Sequence, residues 1–368
     1  MAREVAVRYG LALVGRELDP WRDGCIYVDR DGFISSIERS CPQDRSGGPD
    51  ALVIPPAALA HAHSADYAFP EIGVSMRLSD LVAPPDGLKH RMLSRVDYDT
   101  LVARTREFYE LAHRLGVGLI ADFRELGGVG CLSARQAARG LPGLEVIALG
   151  RPGPRWPEGC DGVGLSSPLD YSRGELESIL RGHKIRATHV AETPASRQAG
   201  DLEAAIEAGF NVIIHGTFLS RRDLETLKGR IRGLVLCAGS NMWHGLGLPP
   251  VRQVLEVGIP LGLGSDNAAW MPPDPWAEAR TALLVARAQG LRSEIAAKSL
   301  LEGLFVWGYE MFGRSPPLVC EGCPAGFLVV RGADSAILRA ESVYSAIVKR
   351  VSTGSIIRVS ELLGPTSS

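Results

Sequence analysis

Four short apolar runs in this chain each lead into a side chain able to hold a metal ion. Ala51-Leu52-Val53-Ile54 leads to His61-Ala62-His63, and Ile185-Arg186-Ala187-Thr188 to His189. Phe210-Asn211-Val212-Ile213-Ile214 leads to His215, and Leu261-Gly262-Leu263-Gly264 to Asp266. Imidazoles and a carboxylate at the carboxyl ends of separate parallel strands are what a hydrolytic metal centre in a barrel mouth requires. His61 and His63 stand two apart on a strand, so both rings point to one face and can grip one cation. By itself that pair is a weak signal; its place at the end of the first strand gives it weight.

The middle of the chain alternates strand and helix, which is the pattern of parallel βα units. Beyond the four runs above, residues 118–123, 144–149, 162–165 and 233–237 read as strands, making eight in all. Helical stretches fall at 99–115, 174–181, 201–208, 250–257 and 293–312. The third crossover is short and carries Pro152, Pro154 and Pro157, which argues against a helix there. Only a closed eight-stranded barrel brings the first and eighth strands together, as the pairing of His61 with Asp266 needs. The ends read differently. Short strands fill residues 1–54, with a hairpin turn at Asp29-Arg30-Asp31-Gly32, and 326–330, 335–338, 346–351 and 355–359 alternate in the same way. The expected fold is therefore α/β: a (β/α)8 TIM barrel over 55–312, with a small β-sandwich built from 1–54 and 313–368. Residues 66–97 form a long insertion after the first strand, read as a lid over the barrel mouth with a stiff turn at Pro84-Pro85-Asp86-Gly87.

Composition narrows the function classes. The chain has 368 residues, a formal net charge of -2 and a pI near 6.5, so no electrostatic case exists for nucleic acid or a membrane surface. No apolar run approaches the roughly 20 residues that span a bilayer, and Met1-Ala2-Arg3-Glu4-Val5 lacks a signal-peptide core. A cytoplasmic protein is expected. Seven scattered cysteines argue against a secreted disulfide framework, and Cys320-Glu321-Gly322-Cys323 reads as incidental thiols or a local disulfide.

In order and flanks, the four motifs resemble the amidohydrolase superfamily, most closely its cytosine-deaminase-like, ATZ/TRZ-type branch with a single metal. The resemblance covers nearly the whole chain. It departs mildly at Ala57-Ala58-Leu59-Ala60, where a glycine-containing turn is usual, and at Ala62, where Thr is more common. What it implies is one divalent ion, zinc or iron, held by His61, His63, His189 and Asp266. His189-Val190-Ala191-Glu192 carries the most specific signal, a ligand His followed three residues later by a proton-shuttling Glu. A bound cation lowers the pKa of its water to about 7. On this resemblance Asp266 takes the water proton, His215 stabilises charge at the attacked centre, Glu192 protonates a ring nitrogen or the leaving group, and ammonia departs. Two-metal members carry a bridging lysine on strand four; residues 161–167 contain none, which favours the single-metal type.

Substrate contacts are assigned to Asn241, from a Ser-Asn loop like the family's, to Arg124 or Glu125 at the end of strand two, and to Trp270 as a stacking partner. For Arg124 and Glu125 an ion pair that orients the mouth is an equal reading, and for Trp270 rim packing is the plainer one. Lys89 is a candidate for an anionic substrate group or an ordinary solvated lysine, and His244 for the pocket wall. The leading function is an aminohydrolase acting on an amino-substituted heterocycle or cyclic amidine. The alternatives are a hydrolase of a cyclic amide or carbon–halogen bond, and a non-catalytic metal-binding barrel. The expected partner is a small molecule, and a homo-oligomer stays open.

Overall fold

The computed structural model describes residues 5–41, 46–48, 50–84, 86–292, 294–351 and 356–363; Pro85, Ser293 and Ser355, each part of an expected turn, helix or strand, lie outside them. The amino-terminal part forms five strands, β1 (Val5–Val14), β2 (Asp19–Val28), β3 (Ile34–Glu38), β4 (Ser46–Gly47) and β5 (Leu52–Ile54). The Asp29–Gly32 turn joins β2 to β3 antiparallel. The Asp29 carboxylate accepts from the N–H groups of Asp31 at 3.0 Å and Phe33 at 2.9 Å, while Gly32 takes the φ of 83° that the turn demands.

Nine parallel segments follow: β6 (Ala57–His63), β7 (Val117–Arg124), β8 (Glu145–Gly150), β9 (Gly162–Leu165), β10 (Arg186–Val190), β11 (Val212–His215), β12 (Gly233–Leu236), β13 (Leu261–Leu263) and β14 (Asp266–Asn267). They pair in the order β13-β12-β11-β10-β9-β8-β7-β6-β14. The two segments at opposite ends of that order are separated in the chain only by Gly264 and Ser265, so the sheet curls back on its start. Gly264 makes this approach possible: a Cβ there would sit 2.7 Å from the His61 Cβ and 2.8 Å from its carbonyl oxygen.

Within the curl, alternating side chains such as Ala60, Phe123, Leu149 and Ile214 meet Met311 and Phe312 from the last helical region. Simple alternation fails on β6, and the failure has a consequence. Ala58 and Ala60 face this interior, whereas Leu59 and Ala62 pack outward near Phe108 and Tyr109 of the helix Tyr98–Arg114. The register of β6 on β7 shifts between Leu59 and Ala62. One extra residue flips the faces of everything after it. That slip turns His61 and His63 inward, where the His61 ring lies 4.4 Å from that of Phe123.

Helices at Tyr98–Arg114, Arg173–Leu180, Asp201–Ala208 and Val251–Val257 agree with the sequence reading, as does the absence of a described helix between β8 and β9. The last helical region runs from Glu294–Glu302 through a wide turn at Gly303–Trp307 to Gly308–Glu310.

The carboxyl-terminal part adds β15 (Leu328–Val330) and β16 (Ile356–Arg358) to the first sheet, giving the order β16-β15-β5-β1-β2-β3 with β4 beside β1. Both ends of the chain thus share one seven-stranded sheet, and among the described residues no second sheet faces it as a sandwich would need. Two expected strands are helices, Ser335–Arg339 and Val343–Arg350. Asp334 caps the first by accepting from the Ala336 N–H at 2.8 Å, and the second buries Val343, Ala346 and Ile347 at helical spacing. Three disulfides pair six of the seven cysteines: Cys25–Cys41, Cys131–Cys160 and Cys320–Cys323. The first two join segments that only the fold brings together, which sequence spacing does not reveal. No described helix is long and apolar enough to cross a membrane.

Candidate active site

The carboxyl ends of β6, β10 and β11 and the start of β14 converge on one point. His61, His63, His189 and Asp266 each place one nitrogen or oxygen within 4.8 Å of the others. His61, His63 and Asp266 are buried and His189 nearly so. The backbone gives up comfort to achieve this. Ala191, His215 and Asp266 hold φ values of 50°, 70° and 63°, a left-handed region that costs non-glycine residues about 1–3 kcal/mol each and clusters at functional sites.

Protonation states in the cluster suit a cation. Burial holds the His61 and His189 imidazoles below their ordinary pKa and pushes His63 down to about 3. Burial alone would raise Asp266, but the hydrogen bond from His61 and the surrounding imidazoles keep its carboxyl well below the usual range. Near neutral pH the group is three neutral rings and one carboxylate. The His63 Nδ1 lies 3.1 Å from Glu125 Oε1 and the His189 Nδ1 lies 2.9 Å from the Leu165 carbonyl oxygen, so both N–H groups donate there. Their Nε2 lone pairs then face one another at 3.4 Å with no proton to share. A shared cation relieves that repulsion, and the donor set suits a single metal ion.

Asp266 is steadied by the Ser240 hydroxyl, which donates to Oδ2 at 2.6 Å, and by His61 Nε2, 3.2 Å from Oδ1. His215 Nδ1 lies 3.0 Å from Asn241 Oδ1, and the Asn241 amide donates in turn to Thr217. This fixes the Nδ1–H tautomer and leaves His215 Nε2 buried, without a hydrogen-bond partner among the described residues and 3.7 Å from Glu192 Oε1. Burial, reinforced by the charge on Asp266, raises the Glu192 pKa. Glu192 and His215 line the same cavity of about 160 Å³ as His63, His189 and Asp266.

The insertion covers that cavity. Leu78, Val82, Ala83 and Pro84 form its roof, and the Trp270 indole N–H donates to the Ile72 carbonyl at 2.9 Å, tying the insertion to the loop after β14. Trp270 lines the cavity, and His244 meets it edge-on at 4.9 Å.

Of the remaining substrate candidates, Lys89 also lines the cavity, whereas Arg124, Glu125 and Asn241 lie outside its lining. Arg124 is fully buried outside the cavity lining, with its Nη1 3.0 Å from Asp122 Oδ2 and its Nε donating to the Gly130 carbonyl. Glu125 sits behind His63, and Asn241 sits behind His215. Lys89 is neither solvated nor free for an anion: it is 4% exposed, with Nζ 3.0 Å from Asp66 Oδ2 and 2.9 Å from Glu125 Oε1. Sequence reasoning passed over Asp66 and Arg151. Asp66 stands three residues beyond His63 on the turn Ser64–Ala68, a spacing that could have marked it. Arg151 pairs with Glu125 at 2.8 Å and lines the cavity, and nothing in the sequence distinguishes it from the many other arginines.

Comparison with known proteins places this site in a family. A provisionally named aminohydrolase from Methanothermobacter thermautotrophicus is 30% identical over 77% of this chain and 80% of its own length. The chain belongs to the amidohydrolase superfamily. A second provisionally named aminohydrolase, from Archaeoglobus fulgidus, is 26% identical over 77% of the chain and 84% of its own length. The match to a 5-methylthioadenosine/S-adenosylhomocysteine deaminase from Pelotomaculum thermopropionicum is local, 29% identical over 30% of the chain and 23% of that protein. Two solved superfamily structures share the fold. An adenosine deaminase from Xanthomonas campestris with bound zinc superposes with a TM-score of 0.74 at 15% identity, covering 96% of this chain and 90% of its own. An atrazine chlorohydrolase from Arthrobacter aurescens superposes with a TM-score of 0.76 at 15% identity, covering 96% and 94%. No family profile matches the chain.

Proposed function

We propose that this chain is a metal-dependent aminohydrolase that releases ammonia from an amino-substituted heterocycle or cyclic amidine. The observation that carries it is the place of Glu192, a carboxyl whose pKa burial raises, on the wall of the same cavity as the three-imidazole, one-carboxylate group. Binding a metal needs no such acid; delivering a proton to a ring nitrogen or departing amine does. The aminohydrolase names of the relatives matched over 80% and 84% of their length and the deaminase name of the locally matched one support the same chemistry.

The fold reading supporting this site is a closed (β/α)8 barrel over 55–312, with β13 and β14 as one interrupted eighth strand, and a sheet domain contributed by 1–54 and 313–368. The ends of the pairing order, only two residues apart in the chain, support closure.

In this reading His61, His63, His189 and Asp266 hold one divalent ion, and the zinc in the adenosine deaminase structure favours zinc over iron. When bound, such an ion makes a water molecule acidic enough to ionise near neutral pH. Asp266, an ionised carboxylate held in place by Ser240, accepts the proton of the attacking water. His215, with its proton on Nδ1, presents the Nε2 lone pair. It therefore first orients the water as an acceptor and stabilises developing charge only after taking a proton. Glu192 donates to the ring nitrogen and then carries a proton to the leaving amine. The cavity is smaller than the roughly 300–1,000 Å³ of drug-sized sites, and with the insertion in place it suits a small planar ring better than a nucleoside.

The test is a screen for ammonia release over amino-heterocycles, run beside elemental analysis of protein purified without added metal. One equivalent of metal with ammonia release is expected. Glu192→Gln is expected to keep the metal and lose roughly 10²–10⁴-fold in kcat. A Glu192→Gln protein with unchanged turnover would sink the assignment, and chloride release without ammonia from a chlorinated ring would move it to the carbon–halogen alternative.

A further inference from the structure

Behind His63 lies a second cluster that the proposed mechanism does not use. Asp66 and Glu125 are 0% and 4% exposed, and with His63 they form a group whose ligand atoms lie within 4.8 Å of one another. The Lys89 ammonium stands among them, 3.0 Å from Asp66 Oδ2 and 2.9 Å from Glu125 Oε1.

The hydrogen bonding there is lopsided. Glu125 Oε1 is shared by His63 Nδ1, Lys89 Nζ and Arg151 Nη2, at 3.1, 2.9 and 2.8 Å. Asp66 Oδ2 is shared by Lys89 Nζ and Asn267 Nδ2, at 3.0 and 2.7 Å. The other oxygen of each carboxylate, Asp66 Oδ1 and Glu125 Oε2, is buried without a partner among the described residues. An ammonium is a compact point charge with three donors. A divalent ion of the carboxylate-preferring kind takes six or more oxygens and would use those that the lysine leaves idle.

We propose that Lys89 is a tethered cation seated in a second cation-binding position beside the metal centre, and that its ammonium keeps that centre mononuclear. The position is distinct from the strand-four bridge of two-metal relatives, which this chain lacks. Lys89 belongs to the short helix Leu88–Leu93 of the insertion, so the cation arrives with the roof of the cavity. Removing it leaves two buried carboxylates and an oxygen-rich pocket for Mn²⁺ or a similar ion. The cation position itself stands apart from the metal centre proposed above; its being second, and its keeping that centre mononuclear, rest on that reading.

The experiment compares wild type, Lys89→Ala and Lys89→Arg, each stripped with chelator, reloaded with excess Mn²⁺, desalted and analysed for Mn²⁺ per chain, with thermal unfolding followed against Mn²⁺ concentration. Wild type and Lys89→Arg are expected to hold one equivalent and Lys89→Ala two. A Lys89→Ala protein that folds only when Mn²⁺ is supplied supports the proposal equally. A folded Lys89→Ala protein with the wild-type stoichiometry overturns it, as does one that Mn²⁺ cannot rescue, or two equivalents in Lys89→Arg. Wild type with no metal beside Lys89→Ala with one would overturn the metal-centre reading and leave this position standing; no metal in either overturns both.

Discussion

Two buried polar networks grow from neighbouring residues of β6 and β7, and they are satisfied to different degrees. Around Asp122, the Ser64 N–H donates at 2.9 Å, and the Ser64 and Tyr109 hydroxyls each at 2.6 Å. Arg124 supplies the balancing charge at 3.0 Å and donates also to the Gly130 carbonyl and to the Ser64, Thr105 and Ser133 hydroxyls. Neither Asp122 nor Arg124 has a buried polar atom left over. A few residues away, His61 Nδ1 and His215 Nε2 are buried without partners, although an unpaired buried polar atom costs about 1–3 kcal/mol. A network that closes on itself is scaffold. A network that keeps open lone pairs and strained backbone is paid for elsewhere in the fold, and marks the place where another chemical species belongs.

The comparison breaks if the two networks respond alike to damage. The largest expected effect is on activity. His61→Ala should remove the bound metal and take hydrolysis to background while the chain stays folded, as read by elemental analysis, ammonia release and circular dichroism. Retained metal with retained turnover would mean that the His61 ring is as structural as the Arg124 guanidinium.

Next in size is the converse. Arg124→Met strands the Asp122 charge in the interior and should cost about 3–5 kcal/mol of unfolding free energy. The metal bound per folded chain should not change. Denaturant melts with metal analysis on the folded fraction measure both. A variant of wild-type stability that has lost its metal would place Arg124 in the active site, as the sequence reading first suggested.

That suggestion shows where sequence stopped being informative. The strand-end positions of His61, His189, His215 and Asp266 were legible because each follows an apolar run and the spacing of βα units is regular. The place of Glu192 on the cavity wall was legible from its offset to His189. Arg124 and Glu125 were not separable, since adjacent residues at a strand end differ in role only through the neighbours they meet, and those come from residues 64, 105 and 133 in one case and 63, 89 and 151 in the other. Lys89 was misjudged for the same reason: an isolated lysine in a long insertion carries no mark of the two carboxylates waiting for it. The bulge in β6 was invisible as well. Strict alternation from Ala58 and Ala60 would have sent both histidines out of the interior, and only the register against β7 shows why they point in. At the carboxyl end, short apolar runs at 335–338 and 346–351 fit either period, and tertiary packing chose helix.

The smallest expected effect concerns a group that belongs to neither network. Glu278, on the helix Pro275–Ala288, is 5% exposed, and its Oε2 accepts from the Gly239 N–H at 3.1 Å beneath the helix that carries Ser240 and Asn241. Burial pushes its pKa up to about 8, from 4.5 for an ordinary glutamate. Its folded form therefore holds a proton that the unfolded chain gives up. The resulting stability is fully present below pH 4.5 and is lost as pH rises from there through about 8. Glu278→Gln mimics the protonated form at every pH. The difference in unfolding free energy between variant and wild type should then grow in the variant's favour between pH 5 and about 8, as read from denaturant melts of the chelator-stripped proteins. Parallel curves would mean that Glu278 is ionised in the folded state, held by more than the one Gly239 N–H, and so belongs with the closed network around Asp122.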